Sequence, residues 1–118
     1  MSPSPTHTDR LALLSDPTRR RICTILCTPD PPVSERDLAV ELATRCLDRP
    51  AAEITDAQRR QQRVRLRHHQ LPKLADYGLL VYDQSTEMVS LTDAGAEALA
   101  AHTRARQAHP TAATASSD

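Results

Sequence analysis

Residues 57–80 read AQRRQQRVRLRHHQLPKLADYGLL. Residues 57–75 contain six cations and no acid, whereas the formal net charge of the whole chain is zero. A solvated helix face normally mixes both signs of charge, so a segregated basic helix indicates a surface for a polyanion. The stretch ends at Gly78, a natural helix terminator, followed by Leu79 and Leu80. This order predicts a basic helix that leads into a strand.

Length and composition predict one small domain with a thin core. The chain has 118 residues, no Phe, no Trp and two Tyr, so Leu, Ile, Val and Ala have to supply the burial. Both ends are rich in small polar residues and Pro. We therefore expect a folded domain over 8–106, between a disordered lead at 1–7 and a disordered tail at 107–118.

The cellular location is predicted from what the sequence lacks. No apolar run approaches the ~20 residues of a membrane helix, and the first six residues lack the basic patch and apolar stretch of a secretory signal. Three cysteines, an odd number without framework spacing, favour a reducing compartment. We expect a cytoplasmic protein without membrane contact.

Local signals predict a mainly α fold with a small β-hairpin. Asp16 precedes Pro17 as an N-cap, Ser34 opens an acidic first turn, and Thr55 or Asp56 starts the basic helix. The predicted order is helix, helix, helix, long helix, hairpin, helix. The predicted elements are helices over 9–14, from 17 to the prolines at 29, 31 and 32, over 34–46, from 56 to Gly78 and over 92–106, with strands at 79–83 and 88–91.

The buried face of the basic helix is predicted from its apolar positions at 100° per residue. With Val64 at the centre, Leu71 and Ala75 share the buried face. Pro72 removes one helical hydrogen bond and should kink or divide the helix there. The opposite face then carries Arg59, Gln62, Leu66, His69 and Lys73, with Arg63 and Arg65 on its shoulders. An exposed Leu66 implies a thymine methyl contact, a dimer partner, or an error in the helix phase.

Four segments resemble ArsR-type winged helix-turn-helix regulators. They are LSDPTRRRI at 14–22, SERDLA at 34–39, LPKLADYGLL at 71–80 and LTDAG at 91–95, and they occur in the family's order over about residues 10–100. The segment HHQLPKLAD at 68–76 is most similar to an uncharacterised winged-helix family of haloarchaea.

The resemblance implies a positioning helix at 34–46, a recognition helix at 56–70 and a wing at 79–91. Three features depart from the pattern. The connection at 47–55 is longer than a tight turn, the wing carries Asp83 and Glu87 without a cation, and the metal-sensing Cys-x-Cys motif is absent from 34–46.

The residue types of the basic helix suit double-stranded DNA. A helix fits the major groove, where the planar fork of Arg can bond guanine O6 and N7, and Gln62 can pair with adenine. Arg59 and Lys73, at the ends of the stripe, are expected on phosphates. The predicted DNA-binding residues are Arg59, Gln62, Arg63, Arg65, Leu66, His69 and Lys73. This interpretation requires guanidinium groups that face solvent and are not held by neighbouring carboxylates.

Other charged residues have structural interpretations. Arg60 and Arg67 lie toward the buried side of the wheel, where we expect them to pair with acids of the preceding helix. The cluster at 19–21 is expected to make structural contacts more than DNA contacts, because positive charge at a helix N-terminus calls for a partner.

We expect a homodimer, because such modules read two half-sites about one DNA turn apart. The helices at 9–14 and 92–106 form the candidate dimer surface, through Ala94, Ala98, Leu99 and Ala101. Two alternatives stay open: a protein-interaction module, favoured by the acidic wing, and a thiol or metal switch at Cys23 and Cys27, with His68 and His69 as further ligands. No catalytic, cofactor or zinc-type spacing occurs, so we predict no enzyme activity, metal or cofactor.

Overall fold

The computed structural model, which describes residues 5–27 and 32–115 with side chains up to 107, contains six α-helices and a three-stranded sheet. The helices are α1 His7–Leu13, α2 Pro17–Leu26, α3 Glu35–Leu47, α4 Asp56–Arg65, α5 Leu71–Asp76 and α6 Asp93–Ala115. The strands are β1 Val33–Ser34, β2 Leu80–Asp83 and β3 Met88–Leu91. This mainly helical arrangement with a small antiparallel sheet is that of a winged helix, as the sequence predicts.

Side-chain caps place the helix starts. Oxygens of Asp16, Ser34 and Thr55 each accept a hydrogen bond from the backbone N–H three residues later, at 3.2, 3.0 and 3.1 Å. Each cap satisfies a backbone donor that the helix leaves free, so all three predicted starts are confirmed. α1 begins two residues earlier than expected, because Thr6 and Asp9 form a reciprocal capping box.

The chain ends differ from the prediction in part. α1 begins inside the predicted lead, and α6 runs to Ala115, well past the predicted end at residue 106. Residues 1–4 and 116–118 lie outside the described residues, as do Pro29 and Pro31, which were expected to end α2. α2 itself ends at Leu26.

The sheet contains the predicted hairpin and one strand that the sequence did not reveal. Its order is β1-β3-β2, with antiparallel pairing throughout. Leu80 lies opposite Leu91 in the hairpin, and Val33 of β1 lies opposite Val89. A strand of two residues is too short to show a period-two pattern. β1 attaches the start of α3 to the wing, and the N–H of Glu35 donates to the carbonyl of Glu87 at 2.7 Å.

The basic helix contains a π-turn where the sequence predicted a kink or a break. Residues Leu66–Gln70 join α4 to α5 without leaving the helical path, and the N–H of Leu71 bonds the carbonyl of Leu66 five residues earlier. Pro72 explains this geometry, because it has no N–H and its ring clashes with the carbonyl of residue i−4, here His68. A wider turn relieves that clash while the helix continues.

The π-turn changes which residues face the core. Leu66, Leu71 and Leu74 are all fully buried, whereas Val64 is 50% exposed. In a straight α-helix Leu66 and Leu71 would lie about 140° apart, but the extra residue in the π-turn brings them to one side. The predicted burial of Val64 and exposure of Leu66 are therefore wrong.

The end of α5 positions the wing against α6. Gly78 has a φ of +75°, and the N–H groups of Gly78 and Leu79 bond the carbonyls of Ala75 and Leu74 at 2.9 and 3.0 Å. This is a Schellman motif, and it confirms the predicted role of Gly78. The Thr92 hydroxyl donates to the Gly78 carbonyl at 2.6 Å, which ties the exit of the wing to its entry.

α6 packs closely on this junction. An added Cβ at Gly95 would lie 2.1 Å from the carbonyl oxygen of Leu79, so only glycine fits. Ala98 is 1% exposed because it belongs to the core of its own chain. Its predicted place in a dimer surface is therefore wrong. Ala94, Leu99 and Ala101 are half-buried.

Replacing each glycine by alanine should distinguish a steric clash at Gly95 from backbone strain at Gly78. Gly95→Ala pushes a methyl group into a backbone carbonyl, so we expect it to lower the free energy of unfolding by about 3 kcal/mol or more. Gly78→Ala should cost about 1–2 kcal/mol, because its left-handed φ is strained but the nearest atom, 3.1 Å away, belongs to the flexible end of Arg10. Urea denaturation measures both, and an equal or larger loss in Gly78→Ala would contradict this packing.

Candidate nucleic-acid interface

The exposed surface of α4 and the π-turn is basic but has a different phase from the predicted one. Because Leu66 is buried in the core, the solvent-exposed side of the helix is the side opposite Leu66. Asp56, at the first helical position, is the acid at the start of this surface. The exposed residues from 60 onward are Arg60, Gln61, Val64, Arg65, His68 and His69.

Glu35 makes the principal polar contact between the helix-turn-helix and the wing. Its side chain is 1% exposed, at the first turn of α3. Its two oxygens accept from Nε of Arg63 and Nε of Arg67, each at 3.3 Å, and the Tyr82 hydroxyl donates to the same carboxylate. A buried carboxylate needs charged partners and hydrogen bonds to offset its lost hydration, and Glu35 has both.

Glu87 completes this cluster from the wing turn. Its carboxylate accepts from Nη2 of Arg67 at 2.6 Å and from Nη2 of Arg63 at 3.3 Å. We call Glu35, Arg63, Arg67, Tyr82 and Glu87 the clamp. It holds α3, the basic helix and the wing to each other with two carboxylates against two guanidinium groups. Among the described residues, no buried side-chain nitrogen or oxygen lacks a partner.

Two members of the clamp, Tyr82 and Glu87, have pKa values shifted in directions that favour the clamp at neutral pH. Burial raises the pKa of Tyr82, and the hydrogen bond to Glu35 raises it further, so the phenol stays protonated and donates. The hydrogen bond from Arg67 lowers the pKa of Glu87 despite some desolvation. Because the pKa of Glu87 is lower in the folded state than in the unfolded state, this carboxylate stabilises the fold at pH values above its unfolded-state pKa. The contribution is lost as the pH falls through the lowered, folded-state pKa.

The predicted DNA-binding residues divide into three groups. Arg65, His69 and Lys73 are exposed, with Nζ of Lys73 5.7 Å from the ring centroid of Tyr77. Gln62 is half-buried. The third group comprises Arg59, Arg63 and Leu66, which are paired with acids or buried.

Leu66 and Arg63 are the corrections, and Arg59 is partly engaged by an acid of its own helix. Leu66 is fully buried and cannot contact a base. Arg63 is held in the clamp, contrary to the requirement for a free guanidinium group. Arg59 pairs with Asp56 at 2.8 Å and reaches the Ala51 carbonyl at 3.4 Å, which reduces its freedom as a phosphate contact.

Arg60 and Arg67 were both expected to pair with acids of the preceding helix, and the structure confirms this for Arg67 alone of the two. Arg67 pairs with an acid of the preceding helix, as predicted, through Glu35. Arg60 is exposed, and neither it nor Arg65 forms an ion pair with the described residues. Gln61, Val64 and His68 also face outward and were missed. The detectable signal was Pro72, whose turn adds one residue to the helical period.

The wing carries no cation from Leu80 to Leu91. At its tip, Asp83 accepts bonds from the Ser85 hydroxyl at 2.7 Å and the Ser85 N–H at 3.0 Å. The Ser85 hydroxyl is the main cause of the lowered pKa of Asp83. The wing is therefore an anionic turn that binds the arginines of its own chain through Glu87, and it is a poor phosphate contact.

The remaining candidates from the sequence have structural environments. Cys23 is fully buried, and burial raises its pKa to about 12, so it is not an accessible thiol, although Cys27 is exposed. Arg19 bonds Gln70, and Arg20 bonds the carbonyls of Leu14 and Ser15, which supports the structural interpretation of that cluster. Within the described part of the chain, no three His, Cys, Asp or Glu side chains are grouped to hold a metal.

Loss of the buried charge should destabilise the fold far more than loss of a surface charge. Glu35→Gln leaves two guanidinium groups with one carboxylate, so we expect a decrease of about 3 kcal/mol in the free energy of unfolding. Glu41→Gln is the matched control, because the Glu41–Arg45 pair at 3.3 Å is exposed and should contribute less than about 0.5 kcal/mol. Similar losses in the two variants, measured by chemical denaturation, would argue against the clamp.

Comparison with known proteins gives one match. The profile of a family described as a domain of unknown function, DUF7344, matches residues 11–90, about two thirds of the chain. This segment runs from α1 to β3 and includes the whole clamp. No curated protein and no solved structure matches. In the described part of the chain, no helix has the length and apolarity to cross a bilayer.

Proposed function

The chain belongs to the DUF7344 family, and from its fold and its exposed basic helix we propose that it is a sequence-specific DNA-binding transcriptional regulator of the winged helix-turn-helix type. We propose further that it resembles ArsR-type regulators in acting as a cytoplasmic homodimer on double-stranded DNA. α4 and the π-turn enter the major groove, and α3 is the positioning helix.

One observation carries this proposal: Arg60 and Arg65 are exposed on the recognition helix, and both lie outside the clamp. From residue 57 to residue 75 that helix contains no carboxylate, so the surface is positive even after Arg63 and Arg67 are neutralised. A free guanidinium fork on a groove-sized helix suits guanine, and Gln61 beside Arg60 suits adenine.

The clamp supports the proposal by fixing the recognition helix before DNA arrives. Direct readout requires side chains that reach base edges in a defined register. Glu35 and Glu87 set the angle between this helix and the wing through Arg63 and Arg67. Such preorganisation reduces the ordering cost of binding. His68, His69 and Lys73 continue the exposed side toward α5 and are proposed phosphate contacts.

A protein-interaction module is the second candidate, and two observations favour it. The clamp neutralises two of the five arginines between residues 59 and 67, and the wing is acidic. In addition, Val64 is 50% exposed and Val81 is 57% exposed. Exposed apolar side chains are ordinary components of protein interfaces. Salt dependence separates the candidates, because binding to duplex DNA weakens log-linearly with salt and a protein contact does not require this.

Arginine variants test the DNA proposal at the level of single contacts. In a selection from a random duplex pool, Arg60→Ala or Arg65→Ala should lose preference at one base position, at a cost of ~1–3 kcal/mol. A phosphate contact would instead weaken all sequences alike and change the salt slope by about one unit. Arg104→Ala is the control, because Arg104 is exposed on α6, away from the recognition helix.

Two outcomes would overturn the regulator proposal. One is absence of micromolar binding to any duplex at low salt. The other is equal weakening by Arg104→Ala and the two recognition-helix variants, which would reduce the interaction to general charge attraction.

A further inference from the structure

A second basic region lies in a cleft of about 600 Å³ between α2, the end of α3 and α6. Its volume is in the range of small-molecule sites. Among the described residues, five basic side chains and no acid line it. The basic residues are Arg20, Arg21, Arg45, His102 and Arg106.

The contacts of these cations leave most of their charge uncompensated. Nη1 of Arg20 donates to the carbonyls of Leu14 and Ser15, both at 2.9 Å. These bonds set the orientation of Arg20, and no acid of the described residues pairs with its charge. Among the described residues, Arg21 makes one long polar contact, 3.9 Å from Nη1 to Sγ of Cys46. Arg45 has an exposed partner in Glu41.

The α6 wall of the cleft adds charge and a neutral lining. Arg106 is exposed and forms no ion pair with the described residues. Burial lowers the pKa of His102, and the positive charges of Arg20 and Arg106 lower it further. Leu99 and Pro17 supply apolar surface, while Thr24 and Thr103 supply hydroxyl groups.

We propose that this cleft is a binding site for a small phosphorylated molecule of about nucleotide size. Like charges from three helices repel one another, and a multiply charged anion between them converts this repulsion into attraction. Arginine forks form paired hydrogen bonds with phosphate oxygens, and the threonine hydroxyls add donors. The apolar residues would contact the rest of the ligand. This inference does not depend on DNA binding by the recognition helix.

Inorganic pyrophosphate is the probe, titrated into the free full-length protein at a constant ionic strength of about 0.15 M, so that screening does not change. Nuclear magnetic resonance follows the amide signals and the ring signal of His102, assigned with His102→Gln. Pyrophosphate should shift signals from the lining of the cleft. It should also raise the pKa of His102, because a nearby anion favours the imidazolium form.

Matched variants establish the location. Arg21→Gln combined with Arg106→Gln removes two exposed cations and should weaken pyrophosphate binding at least about tenfold. Arg104→Gln, on the same helix but outside the cleft, should change the affinity by less than about twofold. Melting curves check that each variant is folded, and Arg106→Gln alone is sufficient if the double variant is not.

Three results would overturn the proposal. The first is an unchanged spectrum at millimolar pyrophosphate. The second is equal weakening by Arg104→Gln, which would indicate general charge. The third is weaker duplex DNA binding in the cleft variants without any pyrophosphate binding, which would make the cleft part of a nucleic-acid surface. Failure of the recognition-helix proposal leaves all these measurements interpretable, because none requires DNA binding.

Discussion

The buried carboxylate of Glu35 is the interaction on which the geometry of this winged helix depends. It lies at the first turn of α3 and receives Arg63, Arg67 and Tyr82 from two other parts of the fold. Without these partners a buried carboxylate would be strongly unfavourable, and without Glu35 the two guanidinium groups would depend on Glu87 alone. The positive charge of the basic helix and the acid of the wing are complementary, so α3, the basic helix and the wing have one mutual arrangement.

The π-turn gives the same helix its two different sides. Pro72 prevents a regular α-helical turn, and the wider turn places Leu66, Leu71 and Leu74 together in the core. Because the phase of the helix is fixed by these leucines, Arg60 and Arg65 point outward while Arg63 and Arg67 reach the clamp. A single proline therefore decides which arginines are available to a partner.

Local chemistry made much of the fold predictable. The caps at Asp16, Ser34 and Thr55, the terminator at Gly78 and the hairpin each depend on a few neighbouring residues, so the sequence shows them directly. β1 escaped prediction because its two residues acquire their strand character only by pairing with β3. The limits of α6 were underestimated, because its small residues gave no signal for a helix beyond residue 106.

The candidate site was less predictable because it depends on long-range contacts. The basic helix was evident from charge alone. The helical-wheel prediction assumed a constant α-helical period, so it placed Val64 in the core and Leu66 at the surface, the reverse of what the structure shows. The pairing of Arg63 and Arg67 with Glu35 and Glu87 joins residues 20 to 32 positions apart. Only the folded chain brings them together. The acids of the wing were recognised as unfavourable for phosphate, but their arginine partners were not identified.

The most direct measurement is the rate at which an arginine-specific reagent, phenylglyoxal, modifies each residue of the native protein, followed by peptide mass spectrometry. Arg60 and Arg65 are exposed, whereas Arg63 and Arg67 are held by two carboxylates. We expect fast modification of Arg60 and Arg65 and protection of Arg63 and Arg67 until the protein is unfolded. Equal rates at all four arginines, or protection of Arg60 and Arg65 instead, would contradict this expectation.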